Sequence, residues 1–312
     1  MITTGRGRLR LHAALACAVL VACGAGVAAA ATLRGGVSAD AIPLGDGNVG
    51  TTPRVGWVDA CSTQFRGGGA EHAGSWIDTA AQTWNRTRKP TVQGAVSWPA
   101  ASYAEKVAGS RRVVAFADLP VDQTTGIFPI RASDPAYAYD RNPNHIAAKR
   151  VSWSLPLHPK AAAKPSCVGL GPIGVLRDGV FLFDALDAAG RDAQAHEVQD
   201  ACDGHPDGSS SYHHHGVPRC LVDAAPKGAA TLVGYALDGY GIYVVKDARG
   251  NLPTNADLDA CHGTTSAVRW NGRRTRIYHY VATLEYPYTL GCFHGTPMQV
   301  RRGPGAGPPA RG

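Results

Sequence analysis

From residue 55 onward the apolar positions come in short runs of β-branched and aromatic residues, broken at close intervals by Gly, Pro, Asn or Asp. Thr91-Val92-Gln93, Arg112-Val113-Val114-Ala115-Phe116 and Arg150-Val151-Ser152-Trp153 are typical. Short runs bounded by turn residues predict strands. With 38 Gly and 21 Pro there is little room for long helices. Only residues 73–85 and 184–198 have helical composition, and Thr and Trp weaken the first. The pattern predicts a mainly β protein with few short helices. Residues 31–54, rich in Gly, Ala and Asp without periodicity, read as a linker, and residues 55–112 as an N-terminal β segment.

Within the β-prone region the pattern repeats. Gly174-Val175-Leu176-Arg177-Asp178-Gly179-Val180-Phe181-Leu182-Phe183 aligns with Gly234-Tyr235-Ala236-Leu237-Asp238-Gly239-Tyr240-Gly241-Ile242-Tyr243. Each is a strand, an Asp-Gly turn and a second strand, the strongest short-range hairpin signal. Downstream, Asp200-Ala201-Cys202 matches Asp259-Ala260-Cys261, Tyr212-His213-His214 matches Tyr278-His279-Tyr280, and Cys220 matches Cys292. Landmarks that recur in one order at offsets of roughly sixty to seventy residues predict two pseudo-symmetric hairpin or meander units, about 174–220 and 234–292, in one domain.

Composition adds a compartment. Arg6, Arg8 and Arg10 precede a predominantly apolar run over residues 11–21, and Ala28-Ala29-Ala30 follows, which is the layout of a cleaved signal peptide over residues 1–30. Leu20-Val21-Ala22-Cys23 also fits a lipoprotein processing site, so a lipid anchor at Cys23 stands beside a soluble secreted or periplasmic form. Six further cysteines, Cys61, Cys167, Cys202, Cys220, Cys261 and Cys292, form no C-x-x-C pair and read as disulfides of an exported chain. Matching the two repeats pairs Cys202 with Cys220 and Cys261 with Cys292, leaving Cys61 with Cys167, and a Cys202–Cys292 bond is the alternative if the repeats exchange strands. Setting aside three arginines at the start and Arg301, Arg302 and Arg311 at the end reduces the formal charge of +7 to +1 for residues 31–300. Without a basic stripe interleaved with aromatics, nucleic acid is not an expected partner. Residues 298–312, rich in Gly, Pro and Arg, read as a disordered tail.

Tyr212-His213-His214-His215-Gly216-Val217-Pro218, followed by Thr231-Leu232-Val233-Gly234-Tyr235-Ala236-Leu237-Asp238-Gly239-Tyr240, resembles the YHYH protein family. So do Leu258-Asp259-Ala260-Cys261, Tyr278-His279-Tyr280 and Tyr286-Pro287-Tyr288-Thr289-Leu290-Gly291-Cys292-Phe293, with Gly126-Ile127-Phe128-Pro129 and Leu155-Pro156-Leu157-His158-Pro159 upstream. The likeness spans roughly residues 113–297. The chain departs from the name-giving tetrad twice: residues 212–215 read Tyr-His-His-His, and residues 278–281 read Tyr-His-Tyr-Val. The resemblance implies an extracytoplasmic domain and specifies no reaction.

The histidines supply the candidate chemistry. On an extended strand His213 and His215 share one face, with Cα atoms about 6.6–6.8 Å apart, while Tyr212 and His214 take the other. Alternate imidazoles at that span can converge on one ion. The repeat suggests His279 as a third ligand joining the two units, with His205 and His262 next in rank as ligands or supporting groups. Three histidines and an open position suit Zn or Cu. No serine-hydrolase elbow, zincin helix or phosphate-cradling glycine loop is present, so no catalytic residue is assigned. Trp57, Trp76, Trp84, Trp98 and Trp153, upstream of the repeat, suggest a second reading: a platform that binds a cell-surface glycan or protein.

Overall fold

The structure, a computed structural model, describes residues 1–3 and 36–300. Most of the expected signal segment, Cys23 and most of the tail lie outside the described residues. Residues 36–300 fall in a single compact unit. Its described elements are eighteen strands, two short α-helices and two 3₁₀ turns, so the chain is mainly β as its pattern predicts. Residues 73–85 form no helix; Ile77–Asp78 and Thr83–Trp84 pair there as antiparallel strands instead. Of residues 184–198 only Ala193–His196 is α-helical, capped by the Asp192 side chain. Tertiary pairing and a cap override weak helical composition in both places.

An eight-stranded sheet organises the rest. Numbered within it, the strands are β1 (Pro172–Leu176), β2 (Phe181–Phe183), β3 (Gly204–Pro206), β4 (Tyr212–His214), β5 (Ala230–Ala236), β6 (Gly241–Val245), β7 (Gly263–Trp270) and β8 (Arg273–Val281). Their spatial order is β3-β4-β2-β1-β5-β6-β8-β7. Reading outward from the antiparallel β1–β5 contact, each half runs antiparallel, parallel, antiparallel. The registers also correspond: Leu182 faces His214 in one half, and Ile242 faces Tyr280 in the other. This arrangement is compatible with the duplicated unit expected from the sequence.

The two Asp-Gly turns show why glycine stands there. Gly179 and Gly239 have φ of +87° and +89°, and a Cβ on either would meet a backbone carbonyl, Ser102 O or Pro156 O, at under 3 Å. Central strands β1 and β5 are buried along most of their length, which accounts for their near-continuous apolar runs. A three-stranded meander, Tyr103–Ala108, Arg111–Phe116 and Val151–Pro156, packs Phe116 and Trp153 edge-on or tilted against Phe181 of β2 at 5.0 and 5.3 Å. Residues 36–54 of the segment read as a linker are part of the fold: Ile42–Pro43 pairs with Thr83–Trp84, Val49–Gly50 pairs with Val58–Asp59, and Ile42 and Leu44 are buried. Its apolar residues are too few to show periodicity, yet they fill gaps in the core.

Three disulfides join Cys61 to Cys167, Cys202 to Cys220 and Cys261 to Cys292, the pairing that the repeat alignment predicts. They suit folding in an oxidising, extracytoplasmic compartment. No helix among the described residues is long and apolar enough to cross a membrane.

Candidate metal centre

β3 and β4 form one end of the sheet, and their antiparallel register sets His205 directly opposite His213. His215, one residue beyond β4, lies on the same face as His213. All three rings are buried, and one nitrogen from each lies within 4.8 Å of the others. Glu197, between the short helix and Asp200, sends Oε2 to 3.2 Å from Nε2 of both His205 and His215. Three imidazoles and a carboxylate therefore face a common point.

Hydrogen bonds on the far side of two rings set their tautomers. Nδ1 of His213 lies 3.1 Å from Ser211 O, and Nδ1 of His215 meets Asp184 O. A carbonyl only accepts, so each Nδ1 carries the proton. Each neutral ring then presents an Nε2 lone pair inward, and these two atoms stand 3.2 Å apart. Facing lone pairs at that distance require a cation between them, either a proton or a metal. Both ring nitrogens of His205 and Oε2 of Glu197 are buried without a hydrogen-bond partner, although buried polar groups are ordinarily paired.

The electrostatics keep His213 neutral and Glu197 ionised but favour the protonated form of His215, so an ion that takes its Nε2 displaces a proton. Burial pushes the His213 ring well below its ordinary pKa, and His205 and His215 push it the same way. Burial alone would raise the Glu197 carboxyl, but His205 and His215 outweigh it and hold it well below the carboxylate range. Burial likewise lowers His215, and Glu197 more than compensates. The site opens onto a cavity of about 600 Å³, whose wall includes Phe183, Asp140, Asn142, Asn144 and Asp207. Phe183 stacks on His213 with centroids 3.9 Å apart, so the ring is held on one face by carbon and on its edge by a carbonyl.

Residues 152–253 match the model of the YHYH protein family. This part of the chain is a YHYH domain. The match is narrower than the 113–297 span of the resemblance, but it contains His205, His213, His215 and Glu197. No curated protein and no solved structure matches the chain.

Outside the matched stretch, β8 carries the second tetrad away from the cluster, which corrects the expected ligand set. β4 and β8 are separated by five strand spacings, roughly 24 Å at about 4.8 Å each. His279 therefore cannot join His213. Its Nδ1 meets Ile277 O, its ring packs edge-on to Tyr243, and Nε2 has no partner. Thr264 stands opposite His279 where His205 stands opposite His213, and Val281 follows where His215 does in the YHYH domain. His262 is also elsewhere, with Nε2 2.9 Å from Thr283 Oγ1, and burial pushes its pKa down to about 3.

The opposite strand face is structural in both halves. Tyr212 donates its hydroxyl to Asp200, and Tyr278 to Asp259. Tyr280 donates to Asp238 of the second Asp-Gly turn, while His214 sets Nε2 3.5 Å from Asp178 of the first. A histidine in the third tetrad position thus addresses the same turn aspartate that tyrosine does. Glu197 escaped the sequence reading because a lone glutamate at no fixed spacing from the histidines carries no signal. Three of the five upstream tryptophans, Trp76, Trp84 and Trp153, are buried in the core, and Trp57 lies under the Arg54 guanidinium. Trp57 and Trp98 are half-buried, so the five do not make up one exposed platform.

Proposed function

We propose that this protein is an exported metal-binding protein whose YHYH domain holds one divalent ion, Zn or Cu, through Nε2 of His205, His213 and His215 and the Glu197 carboxylate. The observation that carries this reading is the pair of inward Nε2 lone pairs on His213 and His215, fixed by carbonyls behind them. A shared proton would satisfy those two atoms alone. It would leave His205 Nε2 and Glu197 Oε2, 3.2 Å apart but without hydrogen-bond geometry, both unsatisfied. A metal ion satisfies all four groups, and carbonyls bonded to Nδ1 are the usual support for histidine ligands. Zn and Cu both accept nitrogen-rich sets of this kind.

The surroundings support a cationic guest. Glu71, Asp140, Asp184, Asp187, Glu197 and Asp207 line the cavity; Arg141 pairs with Glu71 and Arg191 with Asp187, which leaves four carboxyls without an arginine. Such a mouth attracts cations and repels anions. The basic start, apolar run and alanine cluster support export, with a mature start near Ala31 or at a lipidated Cys23. Mass spectrometry of the mature N-terminus separates those two, and an intact Met1 refutes both.

The deciding experiment is elemental analysis of protein recovered from the exported compartment and again after Zn or Cu loading. Wild type and His279→Ala are expected to carry about one ion per chain, and His213→Ala almost none. A wild type that stays metal-free after loading, with no change in melting temperature, overturns the proposal.

A further inference from the structure

At the opposite end of the sheet from the histidines, β7 and β8 form a long hairpin. Asn271 and Gly272 turn it with φ of +48° and +80°, the two positive values of a tight type I′ connection. Its inner face is anchored by buried Val268 and Trp270. On its outer face Arg269 stands directly opposite Arg274, and Arg276 is two residues along the same face. Arg273 follows the turn. All four arginines are exposed.

These charges are uncompensated. Arg112 and Arg177 pair with Glu105, but among the described residues no carboxylate forms a salt bridge with Arg269, Arg273, Arg274 or Arg276. Like charges directly opposite each other across a ladder oppose pairing. Arg112 donates to Asn271 Oδ1 and brings a further guanidinium against the turn. Charge on an edge strand also deters edge-to-edge aggregation. β8 meets β6 only at Tyr280 and Val281, so all four arginines lie on the part of the hairpin that extends past β6, and edge protection is the competing role that the test below separates.

We infer that the outer face of the β7–β8 hairpin binds a linear anionic glycan of the extracytoplasmic surface through Arg269, Arg274 and Arg276. The hairpin register fixes the backbone positions of the three arginines on one face, and guanidinium pairs with carboxylate, sulfate or phosphate by paired N–H donors. Only Ala267 and arginines are exposed beside each other on the central part of this face, with no large apolar side chain to enter a bilayer. A polymer fits that surface better than a membrane. The inference is independent of the metal site, which lies at the other end of the sheet.

The test uses full-length mature protein on immobilised heparin and in co-sedimentation with polygalacturonate, beside vesicles containing phosphatidylglycerol. The variant R269Q/R274Q/R276Q is compared with R66Q/R88Q/R131Q, which removes the same charge from scattered exposed positions. Wild type is expected to bind a polymer at low salt, and the hairpin variant to bind at least ~10-fold more weakly with a log–log salt slope smaller by roughly 3. The scattered variant should stay within about 3-fold of wild type. The hairpin variant should melt no lower than wild type, because it relieves a repulsive pair. Three results would overturn the inference: no polymer binding by wild type, equal loss in both variants, or binding to vesicles alone. Aggregation of the hairpin variant with polymer binding unchanged would also overturn it and leave edge protection as the arginines' role.

Discussion

His205 stands directly opposite His213 across the β3–β4 ladder, and this one register pairing brings a third imidazole to the two supplied by alternation along a strand. His205→Ala should therefore abolish metal binding as completely as His213→Ala. A bound ion stabilises by about 2.7 kcal/mol when free metal is 100 times the dissociation constant. The rise in melting temperature on adding Zn or Cu should appear in wild type and vanish in both variants. A His205→Ala protein that keeps its metal-dependent shift would show that this ring lies outside the coordination sphere.

Glu197→Gln preserves shape and removes the charge that faces His205 and His215. Metal affinity is expected to fall by at least ~10-fold, since the neutral amide is a far poorer ligand for a divalent ion. Competition with a chelator of known affinity reads the change. Unaltered affinity would assign Glu197 to charge balance at a distance.

The disulfides should rank by the loop that each closes. Cys61 and Cys167 are 106 residues apart, Cys202 and Cys220 only 18. Chain entropy assigns about 4.7 kcal/mol to a loop of ~100 residues and about 3 kcal/mol to one of ~15. In chemical denaturation C61S/C167S should lose roughly 1–2 kcal/mol more than C202S/C220S. Equal losses would mean that native-state strain or residual denatured structure sets the scale.

His262 should make the fold acid-sensitive. Burial holds its folded pKa at about 3, below the ordinary 6.5. Between those values the unfolded chain binds a proton that the folded chain excludes, so stability falls as pH drops through this window and the loss levels off below it. The term is on the order of 3 kcal/mol between pH 7 and pH 4. His262→Asn suits the positive φ of 67° at this position and removes the titration. Wild type should lose more stability than the variant over that range, and parallel pH profiles would contradict a buried neutral ring.

Much of this protein is decided locally, and that part was legible in the chain. Asp178-Gly179 and Asp238-Gly239 specify hairpins because the left-handed backbone there excludes a side chain. Alternation puts His213 and His215 on one face and Tyr212 on the other because side chains on a strand have period two. Repeat matching paired the cysteines because each half of the sheet closes its own loop. What the sequence could not decide was which distant elements meet. His279 looked equivalent to His213, yet the β1–β5 contact at the centre of the sheet drives β4 and β8 to opposite sides. Glu197 joins the histidines only because the turn after a four-residue helix folds back over β3. Ile42 and Leu44, in a segment without periodicity, are buried because other elements leave space for them. Turn and strand preferences act over a few residues and can be read in order along the chain, whereas these meetings depend on how eight strands are arranged in space.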